Sequence, residues 1–220
     1  GSIAGAAIAC AGLNSINFKG FSSIIIGLLA SPVIAFIVGY LMFALFKYLF
    51  KNLNLEKTNT NFRKLQIVTA ATQAFTHGTN DAQKSMGIIS MALVSSNLIK
   101  PGEIPLWVQI SCALAMALGT SVGGWKIIKT VGTQIMKIKP VNGVAADLSS
   151  AAIIFGASHF GFPVSTTHVI SSAIMGVGSS HRVKSVKWDT GKKMITTWFI
   201  TLPISGTLAA LVYLFIGLFI

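Results

Sequence analysis

Between Leu65 and Val94 an apolar run is interrupted by His77-Gly78-Thr79-Asn80-Asp81-Ala82-Gln83-Lys84, which brings together an imidazole, a hydroxyl, two amides, a carboxylate and an ammonium. Ionisable groups inside a segment apolar enough to lie in a bilayer cost roughly 3 kcal/mol each and mark pathways for ions or polar substrates. Gly78 predicts a break, with one half-helix ending near His77 and another starting at Asp81 behind an Asn80 cap. The free N–H groups at such a break attract anions. Asn80 and Asp81 offer oxygens to a proton or small cation, and Lys84 can pair with Asp81 or with a bound anion. The other reading is an ordinary Asn-Asp cap with an i,i+3 ion pair holding the break together. Thr79 and Gln83 are expected to support the site.

A second polar stretch reads Gly161-Phe162-Pro163-Val164-Ser165-Thr166-Thr167-His168. Pro163 stops the preceding helix and Ser165 is a natural N-cap for the next. The hydroxyls of Ser165, Thr166 and Thr167, with exposed backbone N–H groups, make a donor-rich cup suited to a tetrahedral oxyanion, with His168 in support. Alternatively the run only caps a hairpin arm, its Thr hydroxyls bonded back to their own helix. Asp147 lies early in the arm leading to this cup, where it relays a proton or caps an interfacial helix. His159 and His181 receive no role.

Hydrolytic chemistry fits these residues poorly. Asp81 and Asp147 lack the Tyr-Asp and Gly-x-Gly-Asp settings of intramembrane aspartyl proteases. Ser165 and His168 stand three apart without a Gly-x-Ser-x-Gly elbow. Cys10 and Cys112, both in apolar runs, give neither a disulfide framework nor zinc-ligand spacing. No catalytic residue, metal centre or cofactor is expected, and a membrane assembly subunit without substrate is the alternative outside transport.

The elements that must position these groups read as membrane helices. Of 220 residues, 53% are apolar and only 10% charged, against about a quarter charged in soluble domains. The net charge of +12 does not indicate nucleic acid, because 14 of the 17 Lys and Arg fall in segments 47–64, 125–140 and 181–193. Basic connectors between apolar spans follow the positive-inside pattern and place all three in the cytoplasm. Residues 1–13 are apolar but too short to span, and they read as the interior of a longer chain without a signal peptide. Phe21–Phe50 is expected to cross with Pro32 as a kink, and Asn52–Lys64 is a polar linker. Leu65–Ile99 crosses around the break, 100–103 turns, and Pro105–Gly124 returns. Val144–Phe160 and Pro163–Val177 are each short for a full span and form a re-entrant hairpin. Met194–Ile220 crosses last, with Pro203 inside it.

An internal echo accompanies this layout. Residues 2–48 and 172–216 each run small apolar piece, polar connector, long span. Phe18 precedes Pro32 by 14 positions and Trp188 precedes Pro203 by 15. The connectors differ in charge, which suggests opposite orientation in an inverted-repeat transporter whose substrate binds near the midplane.

The two polar stretches together resemble the PiT family of inorganic phosphate transporters. His77 to Gly87 is similar to the second, bacterial-type copy of that family's Gly-Ala-Asn-Asp signature, and Pro163 to His168 matches its Pro-Val-Ser-Thr-Thr-His hairpin motif. The resemblance covers essentially the whole chain. It implies an all-α, polytopic membrane fold with a re-entrant hairpin: residues 1–50 close a partial first inverted repeat, 51–64 form a cytoplasmic basic linker, and 65–220 make a complete second repeat. It implies symport of phosphate by a homodimer in the bilayer, here a bacterial inner membrane. It implies that Ser165, Thr166 and Thr167 hold phosphate and that Asn80 and Asp81 handle the coupling ion; on its own chemistry Lys84 is expected to join the phosphate site and Asp147 the coupling-ion residues. First copies of both motifs would lie upstream of Gly1. Sodium-coupled relatives carry Asn where this chain has Lys84, which favours H+ coupling, or carriage of a metal–phosphate complex, over Na+. Asp147 stands where the family usually has Glu, which keeps the carboxylate but shortens its reach.

Overall fold

The computed structural model describes residues 1–51 and 55–218, and among these it is helical with no strand. The helices are α1 (Ser2–Ala11), α2 (Phe18–Leu49), α3 (Leu55–Ser95), α4 (Leu106–Gly123), α5 (Trp125–Lys129), α6 (Pro140–His159), α7 (Thr166–His181) and α8 (Trp188–Ile216). Four of them, α2, α4, α6 and α8, are long and apolar enough to cross a membrane.

Local chemistry accounts for the boundaries. Asn17 caps α2, its side chain accepting from Gly20 N at 3.2 Å, and Pro140 occupies the first turn of α6, where no N–H is needed. α6 ends in a Schellman turn: Phe162 N donates to Ala157 O, Gly161 N donates to Ser158 O, and Gly161 takes φ 69°. Ser165 then caps α7 as expected, accepting from His168 N at 3.4 Å. Asn97, at φ 56°, closes α3 in the same manner.

Three expectations need correction. α3 is continuous through Gly78, so there are no half-helices and Asn80 is an interior residue and not a cap. One glycine costs a helix only about 1 kcal/mol. Here His77 and Lys84 both pair with Asp81 along the helix, and Thr79 Oγ1 donates back to Phe75 O and Thr76 O. The basic linker is largely helical too, since α3 begins at Leu55; residues 52–54 lie outside the described residues. Finally, α6 starts four residues before Val144 and reaches 20 residues, about 30 Å, long enough to span by length alone. α7 remains short at 16 residues.

α7 is the centre of the molecule. Every residue from Ser171 to Ser179 is buried, packed between α2 and α6. Small residues let backbones touch, the usual basis of helix association in lipid. A Cβ on Gly39 would meet Ala173 O at 2.5 Å, and one on Gly176 would overlap Phe36 O. Two apolar clusters flank this crossing, one around Phe43, Met136 and Ile174, the other around Ala35, Ile154 and Val169.

The sequence echo has a structural counterpart at an offset of 170 residues. Ser15 Oγ donates to Gly12 O and Ala7 O, and Ser185 Oγ donates to Arg182 O and Gly178 O. A 3-10 turn follows the short helix in both units. Packing is crosswise, α2 against α7 and α1 against α8, as a two-fold relation between the units requires. The second crossing is again built on glycine, with Gly5 against Gly206.

Candidate functional site

α3 and α6 lie side by side and meet along a seam of paired side chains. Thr69 Oγ1 donates to Asp147 Oδ2 at 3.0 Å, Ser150 Oγ lies 3.0 Å from Gln73 Oε1, and Asn80 Nδ2 donates to Ser158 Oγ at 2.8 Å. The partners advance together in residue number, so the two helices run in the same direction. Thr69, Gln73 and Asn80 are buried, and two of their own side-chain atoms, Gln73 Nε2 and Asn80 Oδ1, have no protein partner. Buried polar atoms left unpaired cost about 1–3 kcal/mol each, and these two leave hydrogen-bonding capacity open on the seam.

Where the seam meets the start of α7, a charged cluster forms. Asp81 Oδ2 lies 2.9 Å from His77 Nε2, one turn back on α3, and Lys84 Nζ donates to Asp81 Oδ1 at 2.8 Å. Thr166, only 3% exposed, points its hydroxyl into this group. Its Oγ1 is 3.2 Å from His77 Nε2 and donates to Asp81 Oδ2 at 3.5 Å. The two polar stretches, more than 80 residues apart in sequence, are thus in hydrogen-bond contact. Their meeting point combines a carboxylate, an ammonium, an imidazole, a buried hydroxyl and the N–H groups of a helix N-terminus, a set able to accept a cation or proton and hold an oxyanion.

The other nominated residues separate. Ser165 is occupied in capping its own helix and Thr167 is exposed, so the three hydroxyls do not form one cup. Thr79 and Gln83 face outward from α3. Asp147 is on the seam but pairs with Thr69, 12 residues and about 18 Å along α3 from Asp81. His168 turns to the far side of α7 and stacks on Trp198, with ring centroids 4.1 Å apart. Sequence reasoning missed His77 as a partner, although its i,i+4 spacing to Asp81 was visible. It also missed Ser158, Gln73, Ser150 and Thr69, whose pairings are tertiary.

The basic segments converge at one end. Lys47 Nζ donates to Ser180 O at 3.4 Å, and Lys187 donates through its backbone N to Ile135 O at 2.8 Å and through Nζ to Thr133 O. These contacts bring parts of all three basic segments together at one end of the described fold.

A model of the phosphate transporter family matches residues 50–209. The chain is 62% identical over 219 residues to a Bacillus subtilis protein named "probable low-affinity inorganic phosphate transporter", covering 99% of this chain and 66% of that protein. A Rhizobium meliloti protein of the same name is 38% identical, covering 97% of this chain and 64% of its own length. The chain thus spans somewhat less than two thirds of these relatives. Among solved structures, a chain described as "the sodium-dependent phosphate transporter" superposes with a TM-score of 0.83 at 22% identity, covering 98% of this chain and 71% of that one. At that identity the likeness speaks for the fold.

Proposed function

Because the chain belongs to the phosphate transporter family, we propose that its polar cluster forms part of the site through which inorganic phosphate crosses the membrane, coupled to protons. The observation carrying this reading is the contact of Thr166 with Asp81 and His77. Phosphate would take the Thr166 hydroxyl and the N–H groups at the start of α7, displacing that hydroxyl from the α3 cluster, while Lys84 neutralises part of its charge. Asp81 would carry the coupling proton, with Asn80 Oδ1 as the neighbouring acceptor. Lys84 Nζ, 2.8 Å from Asp81 Oδ1, already supplies the positive charge a sodium ion would bring, which supports proton coupling or carriage of a metal–phosphate complex.

In this reading the chain supplies the closing part of a first inverted repeat (1–50), a connector (51–64) and a second repeat (65–220). The repeats rock around the site in alternating access. The protein acts as a homodimer in a bacterial inner membrane, with the basic end in the cytoplasm, and as a carrier it needs no resident cofactor.

Labelled phosphate uptake by the full-length protein in sealed vesicles tests the coupling. A pH gradient, acid outside, should drive accumulation without sodium. Accumulation that requires sodium and ignores the pH gradient would overturn the proton reading.

A further inference from the structure

Away from the polar cluster, α2, α7 and α8 enclose an apolar groove of about 430 Å³. Along α8 its lining runs from Trp188 through Ile195 and Phe199 to Leu202, a single face at i, i+7, i+11 and i+14. That stripe is about 21 Å long at 1.5 Å per residue, enough to traverse the ~15 Å hydrocarbon depth of one leaflet. The stacked rings of His168 and Trp198 contribute to its wall. Trp188 marks the opposite end, 39% exposed, its Nε1 donating to Val183 O. An indole so placed is the usual occupant of the membrane–water interface.

The mouth is cationic. Lys184, in the turn that Trp188 touches, is exposed, and so is Lys192, one helical turn along α8 from Trp188 towards Ile195, from where its long side chain can reach back to the Trp188 end. Behind them Lys139, Lys47 and Arg182 gather round His181, whose pKa is pushed down first by burial and then by those three cations. Asp189 is the one carboxylate in segment 181–193.

The geometry points to a binding site for one anionic phospholipid, with its phosphodiester headgroup on Lys184 and Lys192 and an acyl chain along Trp188, Ile195, Phe199 and Leu202. A basic rim at the end of an apolar channel between membrane helices matches both halves of such a molecule. A zwitterionic lipid such as phosphatidylcholine fills the channel and carries the same phosphodiester but brings its quaternary ammonium to the cationic rim, and free phosphate satisfies only the rim.

The test is native mass spectrometry of the full-length protein titrated with dioleoylphosphatidylglycerol or dioleoylphosphatidylcholine. Phosphatidylglycerol should bind at least tenfold more tightly, and Lys184→Gln with Lys192→Gln should remove most of that preference. Leu29→Trp, which fills the channel from α2, should weaken both lipids, and millimolar inorganic phosphate should displace neither. Phosphate uptake by the double Lys variant in phosphatidylcholine vesicles should stay within twofold of wild type, which shows that it folds. Equal binding of the two lipids, preference unchanged in the Lys variant, displacement by free phosphate, or a groove that takes no lipid because another protein segment fills it would each overturn the assignment.

Discussion

Asp81 has three partners drawn from two helices. His77 and Lys84 reach its two oxygens from the turns before and after it, and Thr166 arrives from α7. Such a carboxylate can hold its neighbours in place or exchange a proton, and substitution separates the two roles. Its ion pair with Lys84, half exposed, is worth about 1 kcal/mol or less to stability. Asp81→Asn in the full-length protein should therefore fold normally yet fail to accumulate phosphate against a gradient. Normal accumulation by that variant, measured with labelled phosphate, would remove Asp81 from the coupling step. At this scale the two polar stretches that come into contact could be picked out of the sequence, but not how their residues divide. The hydroxyls of Ser165, Thr166 and Thr167 are adjacent in the chain, and helix geometry sends them to a cap, to the cluster and to the surface. Only tertiary contact distinguishes them.

Among the elements, the clearest lesson is α3. Spans with a uniform apolar composition, such as α2 and α4, were legible to within three residues from the length of the apolar run. By contrast α8, expected over Met194–Ile220, begins six residues earlier at Trp188 because the polar start of the helix carries no apolar signal, and residues 219–220 lie outside the described residues. Gly78 was misread as a break because its cost was weighed against local sequence alone. Backbone hydrogen bonds continuing over 41 residues and the pairing with α6 outweigh about 1 kcal/mol. A Cβ at Gly78 would meet nothing within 4 Å. Gly78→Ala should accordingly leave the melting temperature unchanged or raise it, by up to about 1 kcal/mol of stability. Gly176 is the opposite case, since its missing side chain lets α7 touch α2. Gly176→Leu should cost well over 1 kcal/mol through overpacking and show as a clear fall in melting temperature. A destabilised Gly78→Ala, or a Gly176→Leu variant as stable as wild type, would mean that the helix crossings are drawn incorrectly.

Across the whole molecule, the arrangement joins a polar interior to a basic end. α3 and α6 run the same way, and the connections through Lys47–Ser180 and Lys187–Ile135 hold the three cationic segments at that end. That these segments lie together agrees with the basic-connector pattern in the sequence, a global constraint that survives errors in any one helix. The crosswise packing of the two related units was only hinted at, since its hydrogen-bond signature lies in backbone groups that carry no residue code. With Lys137→Cys, Lys184→Cys and Glu103→Cys each placed in a cysteine-free background (native cysteines such as Cys10 and Cys112 replaced by Ser) in intact cells, a membrane-impermeant maleimide should label only Glu103→Cys. Labelling of either lysine position would refute the topology. The central claim, that the hydroxyl of Thr166 leaves Asp81 to hold the transported anion, is tested most directly by equilibrium binding of labelled phosphate to the purified full-length protein and its Thr166→Val variant. Loss of a charge-assisted hydrogen bond should weaken binding about 10- to 100-fold; identical affinity would contradict the account.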